Sequence, residues 1–267
     1  MSTAVGVDVG ATKLAAARVE VASGRILAAV RRDTAPGRGA DAVLADVVAM
    51  AAEVAGEGDA GAGLAVCELV GPDGRVRSAE TVDWREADLA ATFAVVESDV
   101  RAAAVAEARL GAGREHADFL YVSIGSGISH CLVTDGRPRL GAHGSAICTG
   151  APLVEAWSGG LALARRSGHA TAQEALADHA AEPVVADGAE QLGLTLAALV
   201  NALDPGAVIV GGGLGLHAGY RARVARAIRA AVYDPDVRSD LPVLPAALGA
   251  DAAVIGAALA VASRAGG

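Results

Sequence analysis

Residues 4–30 read AVGVDVGATKLAAARVEVASGRILAAV, and this stretch decides the fold. An apolar run, Ala4–Asp8, meets a turn of small residues at Gly10-Ala11-Thr12, and extended patterns resume over Lys13–Val21 and Arg25–Val30 around Ser23-Gly24. Apolar segments punctuated by such turns predict a three-strand meander. The first turn also carries chemistry. In Asp8-Val9-Gly10-Ala11-Thr12-Lys13, small residues let backbone N–H groups approach phosphate oxygens, and a hydroxyl and an ammonium add donors. Asp8, at the strand end, suits Mg²⁺ held through water, since that ion gives up its hydration shell reluctantly. An ordinary hairpin turn with a solvated lysine is the other reading of these six residues.

Beyond the meander, apolar positions at helical spacing predict a helix over Asp41–Ala55. Strand patterns follow at Gly63–Cys67 and Phe93–Glu97, the latter leading straight into a helix over Asp99–Leu110. The pattern then starts again: Phe119–Ile124, a Gly125-Ser126-Gly127 turn, and Ile128–Thr134 before the Asp135-Gly136 turn. Two glycine-turn hairpins in two halves predict duplicated α/β domains facing one cleft. Helices are expected over Pro152–Arg166, Ala172–Ala180 and Glu190–Leu203, then a buried strand Ala207–Val210 running into Gly211-Gly212-Gly213. A helix near Tyr220–Val232 and a last one over Ala252–Ser263 complete the chain. No low-complexity linker separates the halves, which puts the junction at the Asp99 helix. The expected domains are 1–98 and 99–267, with the helix at 252–263 able to pack back on the first.

Composition narrows the class. Across 267 residues, hydrophobic side chains make up 53% and aromatics only 3%, so the core is built from small and branched aliphatics. A mean hydropathy of +0.41 raises the membrane question. The longest apolar tract, Leu192 to Val210, is broken by Asn201 and by Asp204-Pro205-Gly206, short of a membrane span. The sequence opens without a basic region followed by an apolar stretch and a cleavage site, so a cytoplasmic protein is expected. A net charge of −9 argues against nucleic acid or an anionic membrane as partner. It leaves room for a nucleotide, because backbone amides hold phosphates inside an acidic protein. Cys67, Cys131 and Cys148 lie far apart without a CxxC pair and read as small apolar residues.

Two further elements join the first turn. Ser123-Ile124-Gly125-Ser126-Gly127 would supply amides from the second half, and Asp204-Pro205-Gly206-Ala207-Val208-Ile209-Val210 ends in Gly211-Gly212-Gly213. A strand ending in bare backbone lets a flat base or ribose lie against it, at the end of a sheet strand where ligands bind. Each alone also reads as a tight turn. All three in this order are harder to explain that way.

The order Asp-x-Gly-x-Thr-Lys, strand-Asp-helix, Gly-Ser-Gly, Glu-Ala-Trp-Ser-Gly and Asp-Pro-x-x-Val-Ile-Val-Gly-Gly-Gly resembles the ROK family of small-molecule kinases. The resemblance runs nearly the whole chain, including Leu248-Gly249-Ala250-Asp251-Ala252-Ala253-Val254-Ile255-Gly256-Ala257-Ala258. It implies an α/β fold of two actin-like (ribonuclease H-like) domains around a central cleft, with ATP- and Mg²⁺-dependent transfer to a sugar or polyol hydroxyl. By position it implies Asp8 for the metal, Gly10–Lys13 and Gly125–Gly127 for the phosphates, and Gly211, Gly212 and Gly213 for adenosine. Asp99 falls on the family's catalytic carboxylate, accepting the proton of the attacking hydroxyl. Its local alternative is a helix N-cap at Ser98-Asp99.

The departures cluster on the acceptor side. Ser98 stands where the family's Glu-Asn-Asp has Asn, and Thr81 where an Asn is expected shortly before Trp84. The Glu-x-Gly-His motif is replaced by Gly141-Ala142-His143-Gly144-Ser145-Ala146, and of the Cys-rich zinc loop only Cys148 remains. One thiol cannot build a four-ligand structural zinc site, so no zinc is expected. Glu155 matches a family glutamate that contacts substrate, and also reads as a solvated carboxylate near a helix start. His143 is either a substitute donor or an exposed loop residue. The nucleotide half thus reads as intact and the acceptor half as rewritten, which disfavours an ordinary hexose kinase and makes a cyclitol a candidate acceptor. A catalytically weak nucleotide or ligand sensor is the rival reading. A repressor of the same family is disfavoured by a phosphate turn within ten residues of Met1. Family members are often dimers, so the resemblance makes a homodimer compatible with the sequence.

Overall fold

The computed structural model describes residues 2–149 and 153–265, and the expected helix start at Pro152 lies outside them. The chain is mixed α/β, with two five-stranded sheets. It divides into two compact units: one runs to Gly111, takes in Pro138–Ile147 and resumes at Asp251; the other comprises Ala112–Arg137 and Cys148–Ala250.

In the first unit, β1 (Thr3–Val9), β2 (Lys13–Glu20) and β3 (Arg25–Asp33) form the meander, followed by α1 (Ala40–Val54), β4 (Asp59–Val66), β5 (Val95–Ser98) and α2 (Asp99–Leu110). The sheet order is β3-β2-β1-β4-β5. The meander strands pair antiparallel, whereas β4 runs parallel to both β1 and β5. Both faces of β1 are covered, which is why it reads as an apolar run rather than a strict alternation. Val5, Val7 and Val9 point to one face with Val43, Val47 and Met50 of α1. On the other face the last helix lies so close that a Cβ on Gly6 would stand 1.8 Å from the carbonyl oxygen of Val254. A Cβ on Gly63, in the neighbouring strand, would stand 2.2 Å from that of Ala257.

That last helix, α9 (Ala252–Ala265), also crosses α2 closely: a Cβ on Gly256 would meet the carbonyl oxygen of Ala102 at 1.9 Å. Small residues allow this approach, and it is why α2 belongs to the first unit. The division therefore falls after Gly111 and not between residues 98 and 99.

The second unit carries β6 (Phe119–Ile124), β7 (Ile128–Thr134), β8 (Arg137–Pro138), β9 (Val208–Gly211) and β10 (Val243–Pro245), in the order β10-β9-β6-β7-β8. β6 and β7 form the expected hairpin, and β9 runs parallel to β6 and β10. The helices are α3 (Leu153–Ser158), α4 (Gly160–Ser167), α5 (Ala172–Ala177), α6 (Glu182–Leu203), α7 (Ala218–Ala231) and α8 (Pro235–Asp240). Leu120, Val122 and Ile124 of β6 pack with Val208 and Val210 of β9 against Leu192, Leu196, Val224 and Ile228 from α6 and α7.

The single helix expected up to Arg166 is broken in two. Gly159 is extended, and a Cβ there would stand 2.9 Å from the Ser126 carbonyl oxygen. α4 starts afresh with Gly160 N–H donating to Gly125 O at 2.8 Å and Leu161 N–H to Ser126 O at 3.2 Å. α6 begins earlier than Glu190, at Glu182, with Pro183 in its first turn, where the missing N–H costs nothing. Among the described residues no helix is long and apolar enough to cross a membrane.

Candidate functional site

Three neighbouring parallel strands of the first unit end side by side. The register pairs Val9 with Val66 and Val66 with Ser98, so the residues just beyond these ends converge. They are the Gly10–Lys13 turn, Cys67-Glu68 and Asp99. This is the carboxyl edge of the parallel strands, where ligands bind in open α/β sheets.

The Gly10–Lys13 turn is a four-residue loop beyond the Val9–Leu14 pair. Gly10 N–H donates to Lys13 O at 3.0 Å, and Thr34 fastens the loop from outside: its hydroxyl donates to Gly10 O at 2.7 Å and its N–H to Thr12 O at 3.1 Å. Thr12 and Lys13 are exposed, while Gly10 and Ala11 are partly buried. Lys13 is the one lysine in a sequence otherwise using arginine for its fixed positive charges.

Asp8 and Asp99 are both partly buried. Burial first, and the nearby charge of Asp99 second, push the Asp8 carboxyl up to about 8. Its Oδ1 is inaccessible and has no hydrogen-bond partner. Burial also raises Asp99, to about 6; the Val100 N–H restrains it, Glu68 adds to the rise, and Ser98 and Arg101 oppose it. Asp99 Oδ1 accepts from Val100 N–H at 2.6 Å. Ser98 occupies the N-cap position of α2, but its side chain makes no capping hydrogen bond. Its fully buried hydroxyl leans on the Asp99 carboxylate without a well-aligned partner. In the capping alternative for this pair, the first-turn amide is met by Asp99 rather than by Ser98.

Around these carboxylates the structure places Thr81, whose hydroxyl accepts from Cys67 Sγ at 3.3 Å. Burial, then Asp99, push the Cys67 thiol up to about 12, so it is no nucleophile at neutral pH. His143 is exposed, and its carbonyl accepts from Arg77 Nη1 at 3.4 Å. Two residues that the sequence reading passed over organise this region. Glu68, 3% exposed, takes hydrogen bonds from the segment around Thr81. Arg101, fully buried, donates to Val70 O at 2.6 Å and to Gly144 O at 2.7 Å. Buried charged side chains are costly unless paired; Arg101 stands four residues after Glu97, the spacing that signals its pair, whereas Glu68, two residues after β4, carries no such pattern.

The remaining candidates belong to the second unit. The Gly125-Ser126-Gly127 turn caps α4 through two carbonyls, and Ile128 N–H donates to Glu155 Oε2 at 2.8 Å. Glu155 is exposed and lies against Gly127, where a Cβ would stand 2.7 Å from its Oε2. Gly212 adopts φ +77°, and a Cβ there would stand 2.5 Å from Ile124 O. The same carbonyl accepts from Leu214 N–H at 2.9 Å and Gly215 N–H at 3.0 Å. Ile124 thus ties the Gly211–Gly213 turn to the Gly125–Gly127 turn. Gln173 of α5 brings its amide beside Gly213, a neighbour that sequence spacing could not show. Among the described residues no three His, Cys, Asp or Glu side chains converge to hold a metal.

Comparisons with known proteins bear on the family and the fold. The chain is 28% identical to a glucokinase of Streptomyces coelicolor over 269 residues, covering 80% of this chain and 83% of that one. It is 34% identical over 183 residues to the bifunctional enzyme NanE/NanK of Brucella melitensis, covering 61% of this chain but only 34% of that longer protein. Among solved structures, a ROK family glucokinase from Streptomyces griseus, in complex with glucose and AMPPNP, superposes with a TM-score of 0.81 at 26% identity, covering 96% of this chain and 98% of that one. A ROK hexokinase from Thermus thermophilus gives 0.74 at 28% identity, with 99% of each chain covered. The ROK family profile matches residues 4–156 and 146–264, and the chain belongs to that family.

Proposed function

We propose that this protein is an ATP-dependent kinase that phosphorylates a hydroxyl of a sugar or sugar-like ring, with Asp99 as general base. The observation that carries this reading is a partly buried carboxylate at a parallel strand end, beside a second carboxylate and a phosphate-type turn, with its pKa at about 6. A base whose pKa lies near the working pH is largely ionised yet still basic enough to take a proton in the transition state. Asp99 accepts the acceptor hydroxyl's proton as that oxygen attacks the γ-phosphorus and ADP departs. The Val100 N–H orients the carboxylate.

Mg²⁺ fits the residues present, because Asp8 offers a buried oxygen that nothing else satisfies. Bound there, it would neutralise phosphate charge. Lys13 and the turn amides bind and orient phosphate oxygens. In the second unit, the two glycine turns joined at Ile124 offer bare backbone suited to a nucleotide's phosphates and adenosine.

The glucokinase relatives point to glucose as the first acceptor to test, with N-acetylmannosamine beside it. Thr81 and Ser98 stand where the family reads ring hydroxyls with asparagines, and Gly141–Ala146 replaces its Glu-x-Gly-His motif, so a ring held by other contacts, such as a cyclitol, is the favoured acceptor. Each lost charge-assisted hydrogen bond is worth about 1.5–3 kcal/mol, so two or three lost together weaken hexose binding severely. An ATP-consumption screen over glucose, N-acetylmannosamine and a C7-cyclitol tests this: the cyclitol is expected to show the highest kcat/KM. Efficient glucose phosphorylation would remove the cyclitol preference and leave the kinase standing; no turnover with any acceptor would remove both.

A further inference from the structure

The segment from Ser78 to Trp84 has no helix or strand, yet it carries Thr81 into the neighbourhood of Asp99. Backbone amides in such a segment need partners. One carboxylate supplies them. Glu68 Oε1 accepts from Thr81 N–H at 2.6 Å and Val82 N–H at 3.1 Å; its Oε2 accepts from Glu80 N–H at 2.9 Å and from the Ser78 hydroxyl. The Ser78 hydroxyl in turn accepts from Leu69 N–H at 2.8 Å, closing the knot. Beyond it, Val82 and Trp84 are buried in the core, and Trp84 Nε1 donates to Ala40 O at 3.1 Å. Thr81 is therefore fixed between a polar anchor and an apolar one, with its hydroxyl on Cys67.

We propose that Glu68 is the positioning residue of the acceptor side: its carboxylate fixes the Ser78–Val82 segment, and with it the place of Thr81, so that it governs which acceptor ring is taken. This rests on the kinase reading above, and it makes Glu68 act through the segment rather than by touching substrate. Four donors saturate both oxygens, so the group has no lone pair left for a ligand. Its exposure of 3% points the same way. The geometry also separates this role from that of an ordinary loop tie, because the adjacent residue, Cys67, is the one that Thr81 engages within reach of Asp8 and Asp99.

Glu68→Gln keeps the shape but turns one acceptor into a donor, facing amides that also donate. Hydrogen–deuterium exchange of the whole chain should show the amides of Glu80, Thr81 and Val82 exchanging about 10- to 100-fold faster, with the β1 and β4 amides unchanged. In the same variant, KM for the best acceptor among glucose, N-acetylmannosamine and a C7-cyclitol should rise at least about 10-fold while KM for ATP stays within about twofold. Combining it with Thr81→Val should add little to the acceptor KM, since both changes act at one point. Should Glu68→Gln fail to fold, Ser78→Ala removes one donor and keeps the charge, and must shift the same amides and the same KM by a smaller factor. Unchanged exchange at residues 80–82, or equal changes in the KM for ATP and acceptor, would overturn the proposal. A wild-type protein inert towards every acceptor would defeat the kinase reading alone, because the exchange result still decides what Glu68 holds.

Discussion

Arg101, whose side chain is wholly buried, pairs with Glu97 four residues behind it, with Nη2 2.6 Å from Glu97 Oε1. Glu97 Oε1 also accepts from Ser98 N–H at 2.7 Å, so the pair locks the turn from β5 into α2 on which Asp99 sits. Nε donates to the same Glu97 oxygen at 2.7 Å, Nη2 also reaches Val70 O, and Nη1 reaches Gly144 O. One planar fork thereby ties three segments of the first unit. Arg101→Ala would leave a carboxylate and two carbonyls without their partner and should cost about 3–5 kcal/mol. Arg101→Lys should recover little, because a point charge cannot span the fork. Urea unfolding midpoints measure both; a loss under about 1 kcal/mol would contradict this role.

Gly6→Ala tests the seat of α9. The added Cβ meets the carbonyl oxygen of Val254, a backbone atom that cannot rotate away, at 1.8 Å. Overpacking of this kind costs about 1–3 kcal/mol, and more where backbone must move. Thermal unfolding should show a clear drop, whereas the same change at Gly37, which has nothing within 4 Å, should not.

The meander, α2 and the β6–β7 hairpin are legible from sequence because their signals are local: apolar runs, turn glycines, and Asp99 following a short strand. The break at Gly159 is not, because it depends on carbonyls of Gly125 and Ser126, far away in the chain. α8 escaped the reading although Asp234-Pro235 is a cap-and-proline start, with Asp234 accepting from Asp236 and Val237 N–H. At the site, the turns stand out by their small residues, and Asp99 through the family resemblance. Glu68 does not, since its partners are mostly backbone amides of an irregular segment that carries no pattern.

The titration of Asp99 gives activity and stability opposite slopes. The folded state raises its carboxyl from 3.8 to about 6. Between those values the folded protein binds more protons than the unfolded chain, so this group's contribution to stability declines as pH rises through the window. The base works only when ionised, so kcat/KM should climb through about pH 6 and level above it. A kcat/KM flat from about pH 5 to 7 would show that the titrating base is elsewhere.

Nucleotide binding should be visible without turnover. With Mg-ATP at 100 times Kd, the folded state should gain about 2.7 kcal/mol, read as a rise in Tm. No shift at millimolar Mg-ATP would remove the nucleotide assignment from both glycine turns and the Gly10–Lys13 turn.

The central claim is that the Asp99 carboxylate takes the acceptor's proton, and Asp99→Asn tests it most directly. The amide keeps the size of the side chain and an oxygen for the Val100 N–H, so the start of α2 and the binding of Mg-ATP should persist. Steady-state turnover of the best acceptor should fall by roughly 10²–10⁴, the range of a lost general base, with the Mg-ATP-induced rise in Tm unchanged. A variant that turns over at the wild-type rate would contradict the account and leave Asp99 a residue of the helix start alone.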